Sequence, residues 1–150
     1  MKAILHLLHL AGVIVWLGGM FFALFCLRPV AATQLPPPQR LPLMAAVLGR
    51  FFVAVLVAIV VILASGLGLM LPGGMAAAPV HWHLMLANGL LMALIFAVIY
   101  RHHHPRLQAA VTAADWPAAG AALNAIRQLV AVNLALGALT VATAVLGAYL

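Results

Sequence analysis

Four apolar runs, closed by prolines, glycines or arginines, decide what this chain can become. They cover residues 3–27, 43–71, 80–100 and 118–150, the last most apolar from Leu129 onward. A bilayer core about 30 Å thick needs roughly 20 helical residues to cross it, so each run is long enough. Inside the hydrocarbon every backbone N–H and C=O must find a partner within its own segment, which leaves helices as the solution for runs of this kind. Only 5% of the residues are charged, against about 25% in a soluble domain. The expected fold is all-α and integral to a membrane, one domain forming an up-and-down bundle of four transmembrane helices. The first run is too long for a signal-peptide core and is read as a retained span.

Connectors follow from the punctuation. Arg28-Pro29 is read as closing the first span. Arg28 to Leu41, with Pro36-Pro37-Pro38, is read as an extended loop, and Pro42 suits the first turn of the second helix. Pro72-Gly73-Gly74 stops that helix before a tight loop. The third span is read as ending at Arg101-His102-His103-His104-Pro105, with a polar connector leading to the helix-start signal Asp115-Trp116-Pro117.

The charges both exclude and orient. Asp115 is the one acidic residue, so paired-carboxylate hydrolysis, all-oxygen calcium sites and carboxylate proton relays are excluded. One cysteine, Cys26, excludes an internal disulfide and multi-cysteine metal sites. The net charge of +6 is scattered over short loops, which suits a membrane surface and not nucleic acid. Arg28, Arg40, Arg50, Arg101, Arg106 and Arg127 fall on one side of four spans and only Lys2 on the other. Basic loops stay in the cytoplasm. The expected location is therefore a bacterial inner membrane, with both termini periplasmic.

That orientation gathers His6, His9, His81 and His83 at the periplasmic end. At about 100° per residue, His6, His9, Val13, Trp16 and Met20 share one face of the first helix. His81, Met85, Asn88 and Met92 share one face of the third, with His83 turned away. Asn133, Gly137, Thr140 and Gly147 form a small, polar face on the fourth helix, and Arg50, Ala54, Val57, Val61, Ala64 and Gly68 one on the second. Polar side chains are costly against lipid, so these faces are expected to turn inward. Imidazole binds copper, zinc, iron and haem, and thioether sulfur favours cuprous copper. Candidate metal ligands are His6, His9, His81, His83 and Met85, although methionine is also common core filler. His102 to His104 read as a solvated basic cap.

His9-Leu10-Ala11-Gly12-Val13-Ile14-Val15-Trp16-Leu17-Gly18-Gly19-Met20 resembles the first span of the copper-resistance protein D family. It is also similar to that of the flavin-independent membrane protoporphyrinogen oxidases, in which His precedes Trp and then Gly at this spacing. Gly49-Arg50-Phe51-Phe52, and the stretch from Arg127 through Asn133 and Gly137 to Gly147, resemble the copper-resistance D domain as well. The first likeness implies copper binding or transport, a role other than enzymatic. The second implies haem b bound through the first-span His; a haem between the first and third helices would have His9, His81, His83, Arg50 and Asn133 as cofactor-binding candidates. In those oxidases a Lys follows the third-span His by two. Here His83-Leu84-Met85 matches that segment, and Met85 stands in place of the Lys, which counts against oxidase chemistry and toward a soft metal ligand. Expected partners are the lipid bilayer, a metal ion or haem, a quinone or a periplasmic copper chaperone, and further copies of the chain.

Overall fold

The computed structural model describes residues 1–147 and Tyr149; Ala148 and Leu150, at the end of the expected fourth span, lie outside the described residues. Four helices are long and apolar enough to cross a membrane: α1 Lys2–Gln34, α2 Pro37–Met70, α3 Val80–Thr112 and α4 Trp116–Gly147. No strand occurs among the described residues.

The helices outrun the expected spans, always at the arginine-rich end. At 1.5 Å per residue a helix of 33 residues such as α1 or α3 is roughly 50 Å long, well beyond the hydrocarbon. Neither Arg28-Pro29 nor Arg101 to Pro105 ends its helix, contrary to the sequence reading. Each proline is preceded by a π-helical turn, Phe22–Leu27 and Ile99–His103. The Arg28 amide donates to the Ala23 carbonyl and the His104 amide to that of Ile99. A proline ring clashes with the carbonyl four residues back and lacks an N–H. A single wide turn placed just before it lets the helix continue.

The loops shrink accordingly. Between α1 and α2 only Leu35 and Pro36 are non-helical, and Pro37 and Pro38 occupy the first turn, where no amide donor is required. Pro42 lies inside α2 and not at its start. Between α3 and α4, Ala114 adopts φ 53°, while the Asp115 amide donates to the Ala110 carbonyl at 2.9 Å. That is a left-handed helix stop usually given to glycine. Asp115 Oδ1 then accepts from the Ala118 amide at 3.0 Å and caps α4. The loop from α2 to α3 is two short 3-10 turns hinged at Gly74, φ 82°.

α1 packs antiparallel on α2, and α3 antiparallel on α4. Small residues set both registers. Gly12 lies so close to Ile62 and the Ala58 carbonyl that a Cβ there would stand 2.7 Å from Ile62 Cγ1, and Gly68 sits against Leu5. Across the second pair, Asn88 meets Leu136 and Thr140, and Asn133 meets Met92. Gly137 receives Leu17 and ties α1 to α4. The densest packing lies toward the arginine-rich end, where Leu41, Leu48, Phe52, Ile99, Leu107, Ala119 and Ile126 are buried.

Helical phase is as expected on α1, where Trp16 and Met20 are buried, and on α4, where Asn133 and Gly137 are. On α2 it is not. Leu48, Phe52, Val55, Ala58 and Ser65 face the core, while Arg50, Ala54, Val57 and Ala64 are exposed. Arg50, expected to contact a cofactor, lies on the outer surface of α2 toward its arginine-rich end.

Candidate metal site

Two imidazoles on α1 are held in matching ways. His6 Nδ1 lies 2.9 Å from the Lys2 carbonyl, one turn back on its own helix. His9 Nδ1 lies 3.1 Å from the Ile62 carbonyl and 3.1 Å from Ser65 Oγ, both on α2. A neutral imidazole with one nitrogen donating to a carbonyl keeps its lone pair on the other. In both rings Nε2 is thus the nitrogen available to a metal. Hydrogen bonds of this kind from the non-ligating nitrogen fix tautomer and orientation in known metal sites. His9 is half-buried beside Gly66, whose missing side chain leaves room for the ring. His6, three residues earlier on the same face, is exposed.

Ser65 was not foreseen. It is 3% exposed, and its hydroxyl donates back to the Val61 carbonyl of its own helix, with the Ile62 carbonyl 3.2 Å away. The oxygen thereby stays available to the His9 N–H. The signal was a lone hydroxyl in the apolar stretch Leu63-Ala64-Ser65-Gly66, where a polar side chain marks the inward face. Met70 is buried and, two residues beyond the Gly68–Leu5 contact, lies level with the first turn of α1. It lines a depression of about 290 Å³ with Lys2 and Trp82.

The donors on α3 belong to the other helix pair. His81 is half-buried against Gly147 of α4, where an added Cβ would stand 2.6 Å from His81 Cβ. His83 and Met85 are both half-buried, so His83 is not turned fully outward. Asn133 is 1% exposed and donates to the Met92 carbonyl at 3.1 Å, while its Oδ1 is buried with no partner. Among the described residues no three His, Cys, Asp or Glu side chains converge on a point that could hold a metal. His6 and His9 stay together on α1. His81, His83 and Met85 stay together on α3.

At the opposite end His104 departs from the solvated cap expected for it. It is 8% exposed, lies edge-on to Phe52 at 5.1 Å and stacks on Tyr100 at 6.1 Å, and its Nε2 is buried without a partner beside Gly49. His102 is exposed. The continuation of α3 through Pro105 carries His104 into the core, with Leu107 one turn further on.

A family model described as copper resistance protein D matches residues 45–146, which is 102 of the 150 residues. The chain belongs to the copper resistance protein D family. The matched region holds Arg50, His81, His83, Met85 and Asn133, whereas His6 and His9 lie upstream of it. No curated protein and no solved structure matches the chain. Membership in the copper resistance protein D family supports a copper-related role in a membrane.

Proposed function

We propose that this member of the family binds cuprous copper within the membrane bundle and passes it on, acting as a carrier and not as an enzyme. The observation that carries the proposal is the paired engagement of His6 and His9 through Nδ1, which turns both rings into Nε2 donors on one face of α1. Two nitrogen donors suit cuprous copper, which accepts few and soft ligands. Zinc asks for four. His81, His83 and Met85 provide a second set of donors on α3, from which the ion would be received or to which it would be delivered. The six-to-one division of basic residues supports a position for both sets at the periplasmic face of a bacterial inner membrane.

Haem b fits the geometry less well. It would require imidazoles of α1 and α3 to face one another across the bundle. His9 instead leans on α2 and His81 on α4.

Cuprous titration against a chromogenic chelator, on protein purified in detergent, tests the reading. Wild type should bind stoichiometrically, His9→Ala and His6→Ala should weaken binding at least about tenfold, and zinc should bind poorly. Affinity unchanged in His9→Ala would overturn the site.

A further inference from the structure

The arginine-rich end carries a second site, independent of the metal reading. A cavity of about 190 Å³ opens between three helices, lined by Arg28 and Ala32 of α1, Arg40 and Met44 of α2, and Leu123 and Asn124 of α4. Two arginines from different helices therefore line one hollow. A terminal nitrogen of Arg40 donates to the Ala32 carbonyl in a long, exposed hydrogen bond of 3.5 Å. Two cationic side chains lining one hollow favour an anion between them. The protein has one acidic side chain, Asp115, and its carboxylate is occupied in capping the Ala118 amide. The same shortage shows nearby on α4, where Arg127 Nε is buried without a partner.

We infer that this cavity binds a phosphate group between Arg28 and Arg40, with the Asn124 amide as a further donor. Depth in the membrane identifies the chemistry. Arg28 directly follows Leu27, the last residue of the first apolar run, and Arg40 precedes Leu43, the first residue of the second. The cavity thus sits just outside the hydrocarbon, at the level where phosphodiesters of anionic lipids lie and to which soluble phosphate has access. Guanidinium forks match phosphate oxygens two at a time, and a tetrahedral group accepts from two forks on different helices. The apolar lining from Leu41, Met44 and Leu123 would accommodate the glycerol and upper acyl carbons if the phosphate belongs to a lipid.

The full chain, purified in mild detergent with its copper site unaltered, provides the test. Retention of phosphatidylglycerol would be read by native mass spectrometry against a phosphatidylcholine background, with inorganic phosphate as competitor. Wild type should keep one anionic lipid. Arg28→Gln and Arg40→Gln should each lower its retention about tenfold, with Arg28→Lys and Arg40→Lys intermediate. Arg106→Gln, an exposed arginine outside the cavity, should change nothing. Displacement by millimolar inorganic phosphate would assign a soluble ligand to the cavity, and persistence of the lipid under phosphate would assign the headgroup. Equal retention by wild type and the Arg28→Gln/Arg40→Gln double variant, or a loss matched by Arg106→Gln, would overturn the inference.

Discussion

Ser65→Ala isolates the orientation of His9 from its identity as a ligand. The substitution removes one oxygen from a side chain that is 3% exposed and leaves the Ile62 carbonyl, 3.1 Å from His9 Nδ1, in place. Fold stability should barely notice. The lost Ser65 bonds run to Val61 and Ile62 of its own helix and to His9, and interhelical polar contacts in membranes average about 0.6 kcal/mol. Metal affinity should notice more. Partners that orient a ligating histidine are typically worth 10- to 100-fold in affinity. One of two anchors survives here, so the lower figure applies, a loss of about tenfold or about 1.4 kcal/mol. The assay is competitive cuprous titration alongside thermal unfolding of the metal-free protein. Ser65→Thr, which keeps the hydroxyl, should restore most of the affinity. Affinity of Ser65→Ala within about twofold of wild type, with His9→Ala weakened at least about tenfold, would refute the orienting role. Abolition as complete as in His9→Ala would make Ser65 a ligand in its own right.

Phe52→Ala should cost about 3–5 kcal/mol of stability, because Phe52 is 1% exposed and meets Phe96 at 5.7 Å and His104 at 5.1 Å across the α2–α3 contact; denaturant unfolding in mixed micelles measures it, and a loss below about 1 kcal/mol would mean that the arginine-rich end is less well packed than described. Alkaline phosphatase fused after Gly74 should be active and a cytoplasm-only fluorescent reporter fused after Gln108 should be bright; the reverse pattern would invert the proposed topology and move the histidines to the cytoplasmic side.

Much of the fold was legible because length and apolarity suffice to identify spans. The helix ends were not, since proline reads as a terminator wherever local rules alone apply. What overrides that rule is tertiary. Continuing α3 past Pro105 buries His104 and Leu107, the latter fully, against α2 and α4. That burial offsets one missing hydrogen bond and a wide turn. His104 was misjudged for the same reason. Its neighbours in the chain are His102, His103 and Arg106, and only the continued helix places it over Phe52 and Tyr100.

The rotation of α2 exposes a different limit. In water an apolar face points inward, but lipid is as apolar as the interior, so neither hydropathy nor small residue size separates the two sides of a spanning helix. Ala54, Val57 and Ala64 were as plausible a seam as Ala58 and Ser65. Only a polar side chain deep in the span carries phase information, because there it has no water to reach. Ser65, Asn88 and Asn133 fulfil that rule, each bonded to another group inside the bundle. Arg50 breaks it because it sits toward the arginine-rich end of α2, where a long side chain can reach the headgroups from an outward-facing position. The candidate copper ligands lie toward the opposite end of the bundle. There the sequence can place histidines in one layer but cannot say which neighbour each will lean on. That choice is made by glycines: Gly66 admits His9 to α2, and Gly147 admits His81 to α4.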